Sequence, residues 1–506
     1  MNQPSARIQN AKRNMISGMC QKIVAILFPF ITRTVLIRDL GAEYAGVGGL
    51  FTSILQVMNV AELGFSSAVA FGLYKPIADH DTKYVCRMLS FYRRVYKWIG
   101  MFVLAAGIII MPFLKYLVKG SYPQNLNIYI LFMLQVIYTV IGYLAYAYKE
   151  VIISATQRQD ILSKVDIVVT VLQGTVQILV LIFSRNYYFY VITMIFCMLG
   201  RSLYIGKLTT RIYPEYRCEG KLTKEERQVI TKHVKGLAIG RINVVSRNAF
   251  DSIVIAKFCG LIDVTIYENY YYIMNGIIAL LSVITVSITA GVGNSVATES
   301  RQKNCSDYFK FEYYFWMISA WCTACLACLY QPLMNLWVGK QLTAQNGIML
   351  LFVIYFYISQ MGKIRSVYAN AAGIWWKLRK ISFMEMCINL FLNFVLGWKF
   401  GMRGILWATI ITVMIFSVVS VTNVLFKEYF KKNAFEIHKE FLEQGIVTVL
   451  IVAVTYFICY FIEEGYRGFI FKLIVCMVAP SCLLIGISMC RKSTRAYIRE
   501  FYKNYF

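Results

Sequence analysis

The sequence predicts an all-α polytopic membrane protein with about 14 transmembrane helices, twelve being the alternative count: two pseudo-symmetric six-helix lobes, two further C-terminal helices, and both termini in the cytoplasm. Three observations carry this prediction. The chain is 58% hydrophobic and 15% charged, with mean hydropathy +0.57, whereas a soluble domain is about 25% charged. Segments of about 20 apolar residues recur from end to end, the length a helix needs to cross a bilayer, without the short alternating strands of a β-barrel. The connections between them alternate in charge, about 35 Lys and Arg on one side against about 8 on the other, which the positive-inside rule reads as cytoplasm and exterior.

The net charge of +26 would point to nucleic acid on a soluble protein. Here the cationic cytoplasmic loops explain it, and no nucleic-acid partner is expected. The 14 cysteines are scattered, mostly within apolar segments. Cys322, Cys325 and Cys328, at helical spacing in one span, read as small buried side chains rather than metal ligands, which would need closed ligation. His80, His233 and His438 fall in polar loops, so no His cluster supports catalysis. No cofactor or metal is expected.

The first span, near 16–38, carries Lys22, Arg33 and Arg38. A cation at a helix centre costs about 2.5–3.5 kcal/mol on the translocon scale. Arg38 snorkels from the helix end. Lys22 and Arg33 lie eleven residues apart, about 20° in azimuth at about 100° per residue, and Pro29 shares their face. That face requires protein or water, and an intramembrane charge is a functional-site candidate. Arg7, Lys12 and Arg13 resemble a signal n-region, but Lys22 interrupts the apolar run and no cleavage site follows, so a retained span is expected.

Spans two to six, near 45–73, 96–118, 126–148, 165–183 and 187–206, complete an N-lobe over 1–206. Span two carries Gln56, Asn59 and Glu62. A lone mid-span carboxylate such as Glu62 either pairs with Arg33, binds a coupling cation or carries a proton. The basic, aromatic stretch Lys83–Trp98 reads as an interfacial helix or as a solvated connector anchored on anionic lipid. A cytoplasmic linker, 207–235, contains Thr223 and Glu226 at capping-box spacing, opening a charged helix.

The C-lobe covers 236–426, with spans near 236–256, 265–296, 312–330, 346–370, 381–398 and 404–426. Span seven holds Arg241, Arg247 and Asp251. Arg247 and Asp251 stand at i,i+4 and are able to neutralise each other; Arg241 has no such neighbour in sequence. Lys22, Arg33 and Arg241 are then completed by an anion, for which phosphate suits Arg forks and a Lys point charge. The polar residues Glu268, Asn269, Asn275, Ser282, Thr285, Ser287 and Thr289 of span eight fit either a wetted cavity or helix–helix hydrogen bonding. Lys363 and Arg365, close to Trp375 and Trp376, read as interfacial. The remaining 427–506 comprises a cytoplasmic segment, spans near 445–462 and 467–490, and a basic tail. A shift of 219 positions sets Gly41 on Gly260, Lys22 on Arg241 and Arg38 on Lys257. Two halves each opened by a cation-bearing helix follow, with the site expected between them.

The sequence holds no phosphate-binding G-x-x-x-x-G-K-[ST] run, nucleophile elbow or HEXXH motif. The external loops are too short for a polymerase or glycosyltransferase site, so a non-enzyme is expected.

The run TRTVLIRDLGAEYAGVGGLFTSILQVMNVAELGFSSAVAFGLYKPIA, with DSIVIAKFCGL, ENYYYIMNGI and GVGNSVATES in the second half, resembles bacterial polysaccharide flippases of the Wzx type. These belong to the multidrug/oligosaccharidyl-lipid/polysaccharide exporter superfamily. The resemblance implies two six-helix lobes facing each other in a V, a multi-pass protein of the bacterial inner membrane, and undecaprenyl-pyrophosphate-linked oligosaccharide as cargo. The implied product is O-antigen, capsule or exopolysaccharide, with a polysaccharide polymerase and a chain-length regulator as candidate partners beside the lipid bilayer. In the related lipid II flippases, cations on the first helices of each lobe meet the pyrophosphate. By that analogy Lys22, Arg33, Arg241 and Arg247 bind substrate, with Glu62 and Asp251 in the same site as residues for H⁺ or Na⁺ coupling, and spans thirteen and fourteen accompany the lipid tail. The alternatives are a drug/cation antiporter of the same superfamily, which would want a carboxylate-dominated cavity, and a membrane polysaccharide polymerase or glycosyltransferase.

Overall fold

Helices make up the fold in a computed structural model that describes residues 4–62, 65–120, 122–145 and 147–490. In chain order they are α1 (Pro4–Asp39), α2 (Ala42–Met58), α3 (Phe65–Ala78), α4 (Thr82–Ile110), α5 (Ile128–Leu144), α6 (Ala147–Ala155), α7 (Gln159–Ser184), α8 (Tyr187–Ile212) and α9 (Lys224–Phe258). There follow α10 (Leu261–Thr298), α11 (Arg301–Trp337), α12 (Asn346–Gln360), α13 (Lys363–Ala371), α14 (Trp375–Phe400), α15 (Met402–Thr412), α16 (Val421–Leu425), α17 (Phe435–Tyr460) and α18 (Tyr466–Cys490). Wide π-helical turns at Val413–Ser420 and Phe426–Phe430 join α15 and α16 into one span, Met402–Phe430.

Eleven helices among the described residues are long and apolar enough to cross a bilayer, or twelve if the bent pair α5–α6 is one span. The other two expected spans fail that test for visible reasons. The stretch 45–73 is broken into α2, a 3-10 turn at Asn59–Glu62 and α3. The stretch 236–256 lies within α9, whose charges lower its hydropathy. The basic tail beyond Cys490 lies outside the described residues.

Two stretches expected to be separate from their spans are continuous with them. Lys83–Trp98 is the first half of α4, not an independent interfacial helix; the Asp81 side chain caps its start by accepting from Tyr84 N at 2.9 Å. The Thr223–Glu226 capping box forms in both directions, at 3.3 and 2.8 Å, and the helix it opens runs on through span seven to Phe258. The connector between α8 and α9 and the first turn of α9 are packed: Arg87 bridges Glu226 at 3.0 Å, and burial pushes the Cys218 thiol up to about 11 against the pull of Arg93 and Lys149.

By packing, the chain divides into Met1–Thr265 and Ile266–Phe506, so α9 packs with the first unit, on α2 and α3, whereas the sequence opens a C-lobe at 236. In this unit α1 lies along α7: Gln21 donates to Asp166 at 2.9 Å and accepts from Ser163 at 3.1 Å, and Gly174 leaves room for the Phe28 ring. The core includes Leu50, Phe51, Phe132 and Val103, all nearly or fully buried. The second unit is built on α11. Its Trp316 donates to Thr448 of α17 at 3.0 Å, and its Tyr313 shares a 2.5 Å hydrogen bond with Ser488 of α18. On α14, Asn389 donates to Thr409 and Thr412 of α15, and Asn393 to Asn389. Such bonds hold helices together where lipid tails supply no hydrophobic drive.

The internal repeat has a local structural counterpart. Both α1–α2 and α9–α10 are joined by two residues ending in a left-handed glycine, Gly41 at φ 111° and Gly260 at φ 116°. The equivalent carbonyls Leu36 and Ile255 accept from both residues of their connectors. A positive φ strains any residue with a Cβ, so glycine closes both turns.

Candidate substrate and coupling site

All six site residues expected from the sequence fall in the first unit. Packing of α1 on α7 uses Asn14, Gln21, Phe28 and Thr32, which leaves the face bearing Lys22 and Arg33 turned away from α7. Lys22 is exposed and Arg33 half-buried. Next to them, Met15, Met19, Ile23, Leu27 and Ile31 form an exposed apolar stripe. Arg33 lies close enough to Tyr190 of α8 to act on it electrostatically.

Glu62 ends the 3-10 turn that breaks span two. Its carboxylate accepts from Tyr96 of α4 at 2.5 Å and from Tyr143 of α5 at 3.3 Å. Among the described residues, two phenols from neighbouring helices thus donate to it. The tyrosines are themselves packed, Tyr92 against Tyr96 and Tyr96 against Tyr143.

On α9, Asp251 is fully buried and Arg247 half-buried. Both are engaged within the protein. Arg241 sits within α9, but its side chain lies outside the described residues. Around α9, the end of the helix is tied down: Lys119 N donates to Ala256 O at 2.9 Å and Lys119 Nζ to Phe258 O at 2.7 Å.

Two charged clusters were not singled out from sequence. In the first unit Arg201 of α8 bridges Glu150 of α6 and Asp166 of α7, both at 2.7 Å. Asp166 also holds Gln21, next to Lys22. In the second unit Arg365 is 3% exposed rather than interfacial. It donates to Val418 O at 2.7 Å and Thr422 Oγ1 at 2.6 Å, and its field reaches buried Glu312 and Glu385. Ser417 donates to Glu385 at 2.9 Å. The wide turn at Val413–Ser420 presents Val418 and Ser417 to this cluster, as such turns do at functional sites. The available signal was the set of acids Glu150, Asp166, Glu312 and Glu385 in or beside apolar stretches; reading each span alone hid the cations that Glu150 and Asp166 meet on another helix.

No protein-family model matches the chain, and no curated protein matches it. Solved structures do. The lipid II flippase MurJ, in an inward closed conformation, aligns with TM-score 0.65 at 13% identity, covering 94% of this chain and 99% of that one. An inward-facing multidrug-resistance MATE transporter aligns at 0.62 and 13%, covering 78% and 92%. A MOP superfamily transporter from Pyrococcus furiosus aligns at 0.58 and 12%, covering 84% and 96%. The chain has the MOP transporter fold. Identity this low speaks for architecture alone. The MOP fold agrees with the helical, multi-pass architecture expected from the resemblance, and the matched structures are of transporters.

Proposed function

We propose that this MOP-fold protein is a transporter working by alternating access, and that it flips undecaprenyl-pyrophosphate-linked oligosaccharide across the bacterial inner membrane. The observation that carries the choice of cargo is the extent of the match: the lipid II flippase accounts for 94% of this chain, the MATE transporter for 78%. A chain with α17 and α18 after its earlier spans fits the longer carrier. The face of α1 with exposed Lys22 and half-buried Arg33 supports an anionic headgroup, and Arg241 and Arg247 are assigned to the same task. Glu62 and Asp251 share this site and are assigned to H⁺ or Na⁺ coupling. An inside-negative potential, worth about 2.3 kcal/mol per charge per 100 mV, drives an anion outward.

Arg33→Ala and Arg241→Ala test the reading. The expected outcome is accumulation of lipid-linked oligosaccharide on the cytoplasmic leaflet and loss of surface polysaccharide. Normal surface polysaccharide in both well-expressed variants overturns it.

A second reading, a drug/cation antiporter, is favoured by the two multidrug-resistance MATE transporter structures matched and by the carboxylates Glu62 and Asp251. In the Pyrococcus furiosus transporter, reverse polarity of the binding pocket suggests a different function for that protein, which makes the sign of the site the relevant discriminator. Drug resistance conferred by the native protein and abolished by Glu62→Gln would favour the antiporter.

A further inference from the structure

Three helices of the second unit bring three sulfur atoms together. Cys328 of α11, Cys459 of α17 and Cys476 of α18 are all buried, at 4%, 3% and 1% exposure. Their Sγ atoms lie within 4.8 Å of one another, with Cys459 and Cys476 4.0 Å apart. A fourth thiol, Cys325, packs beside them but points its Sγ at Cys476 O, 3.5 Å away. The spacing along α11 drew attention to Cys322, Cys325 and Cys328 as a set; the fold selects only Cys328 for the cluster and supplies the other two from far later in the chain.

We propose that Cys328, Cys459 and Cys476 form a closed thiolate site for Cu(I) that clamps α17 and α18 onto α11. A metal about 2.3 Å from each of three sulfurs in a plane sets them about 4 Å apart, so the present separations need only small rotamer adjustments. Soft thiolates select Cu(I) and Zn(II). A structural Zn(II) site takes four ligands, and the fourth thiol here is turned to a backbone carbonyl, which leaves a three-sulfur set suited to Cu(I).

Charge fits the same assignment. Binding releases protons from the thiols it ionises. With three thiolates on Cu(I), the site carries two negative charges. Lys472, one turn before Cys476 and 9% exposed, has its ammonium within electrostatic reach of Cys459 and offsets one of them. Lys472 also lines a cavity of about 340 Å³ with Glu463, Glu464 and Lys340. Lys472 thus belongs both to that cavity and to the surroundings of Cys459. The site is independent of the transport reading.

The test is an anaerobic titration of the reduced, full-length protein in detergent with Cu(I), in competition with a chromophoric Cu(I) chelator. Exposed Cys20, Cys387 and Cys482 are replaced by serine to remove surface binding. The expected result is one Cu(I) per chain, a three-sulfur shell by X-ray absorption, and a higher Tm on loading. Cys459→Ser and Cys476→Ser each lower the affinity at least a hundredfold, whereas Cys197→Ser leaves it unchanged. Absence of stoichiometric binding by the parent protein overturns the site without recourse to any variant that folds poorly. So does preferential retention of Zn(II), quantitative isolation of a Cys459–Cys476 disulfide, or binding that survives both substitutions.

Discussion

The Glu62 carboxylate shows how a half-buried acid is kept where an apolar stretch breaks. It is placed at a 3-10 turn, off the regular helical ladder, and two phenols converge on it from α4 and α5. Hydrogen bonds to a charged group contribute about 1.5–3 kcal/mol each. Tyr96→Phe, which removes the shorter bond, is therefore expected to lower stability by about 2 kcal/mol, and Tyr143→Phe by less. Thermal unfolding of purified variants checks the order; equal, negligible losses would mean that the carboxylate draws its stabilisation from elsewhere. Glu62→Gln keeps the shape and removes the charge. If Glu62 couples transport to H⁺ or Na⁺, this variant retains the fold and loses the dependence of transport on the ion gradient.

At the scale of the element, the two cation-bearing helices end alike, and the connectors that follow them pack closely. Gly46 of α2 faces the start of α10: a Cβ there would stand 2.1 Å from Leu261 O. Thr265 donates to Ala42 O at 2.6 Å beside it. Overpacking of this kind costs about 1–3 kcal/mol, and backbone on the opposing side has no rotamer by which to yield. Gly46→Ala is thus expected to lower Tm and to weaken transport. Gly200→Ala, where a Cβ meets nothing within 4 Å, is expected to be neutral or to stabilise by about 0.5–1 kcal/mol. A Gly46→Ala protein as stable as the parent would show that α2 and α10 do not hold this approach in the membrane.

The connectors also mark what is legible in the chain. The 219-residue shift rests on setting Gly41 against Gly260, and both prove to be left-handed turns with the same pair of hydrogen bonds. Helix starts are legible where a side chain does the capping, as at Thr223. Helix continuity is not: nothing in KYVCRMLSFYRRVYKW distinguishes an interfacial helix from the basic end of a long span, because both present cations and aromatic residues to headgroups. The polar partners are the least legible. Arg365 and Glu312 are separated by 53 residues, Arg201 and Glu150 by 51, and their meeting depends on which helices neighbour one another. Periodicity within a span carries no record of that. The same limit hides the meeting of Cys328 with Cys459 and Cys476.

For the whole molecule, the decisive quantity is the number of crossings, since it fixes which ends of the cationic helices face the cytoplasm. Eleven or twelve spans follow from length and apolarity; α2–α3 and α9 bring the number to 14 if both cross. The charge alternation requires both to cross, because omission of either inverts every later loop and places the basic segments outside. Single cysteines read by a membrane-impermeant maleimide in intact cells separate these cases, with exposed native thiols replaced by serine. Asp79→Cys and Glu219→Cys are expected to be shielded, and Gln124→Cys, Ile262→Cys and Gln341→Cys labelled; all five positions are exposed on the protein. The pair Glu219 and Ile262 brackets α9, so unlike labelling means that the helix carrying Arg241, Arg247 and Asp251 spans the bilayer. Like labelling would place those three residues outside the hydrocarbon, where a cation needs no diphosphate to complete it, and the proposed headgroup site would lose its physical basis.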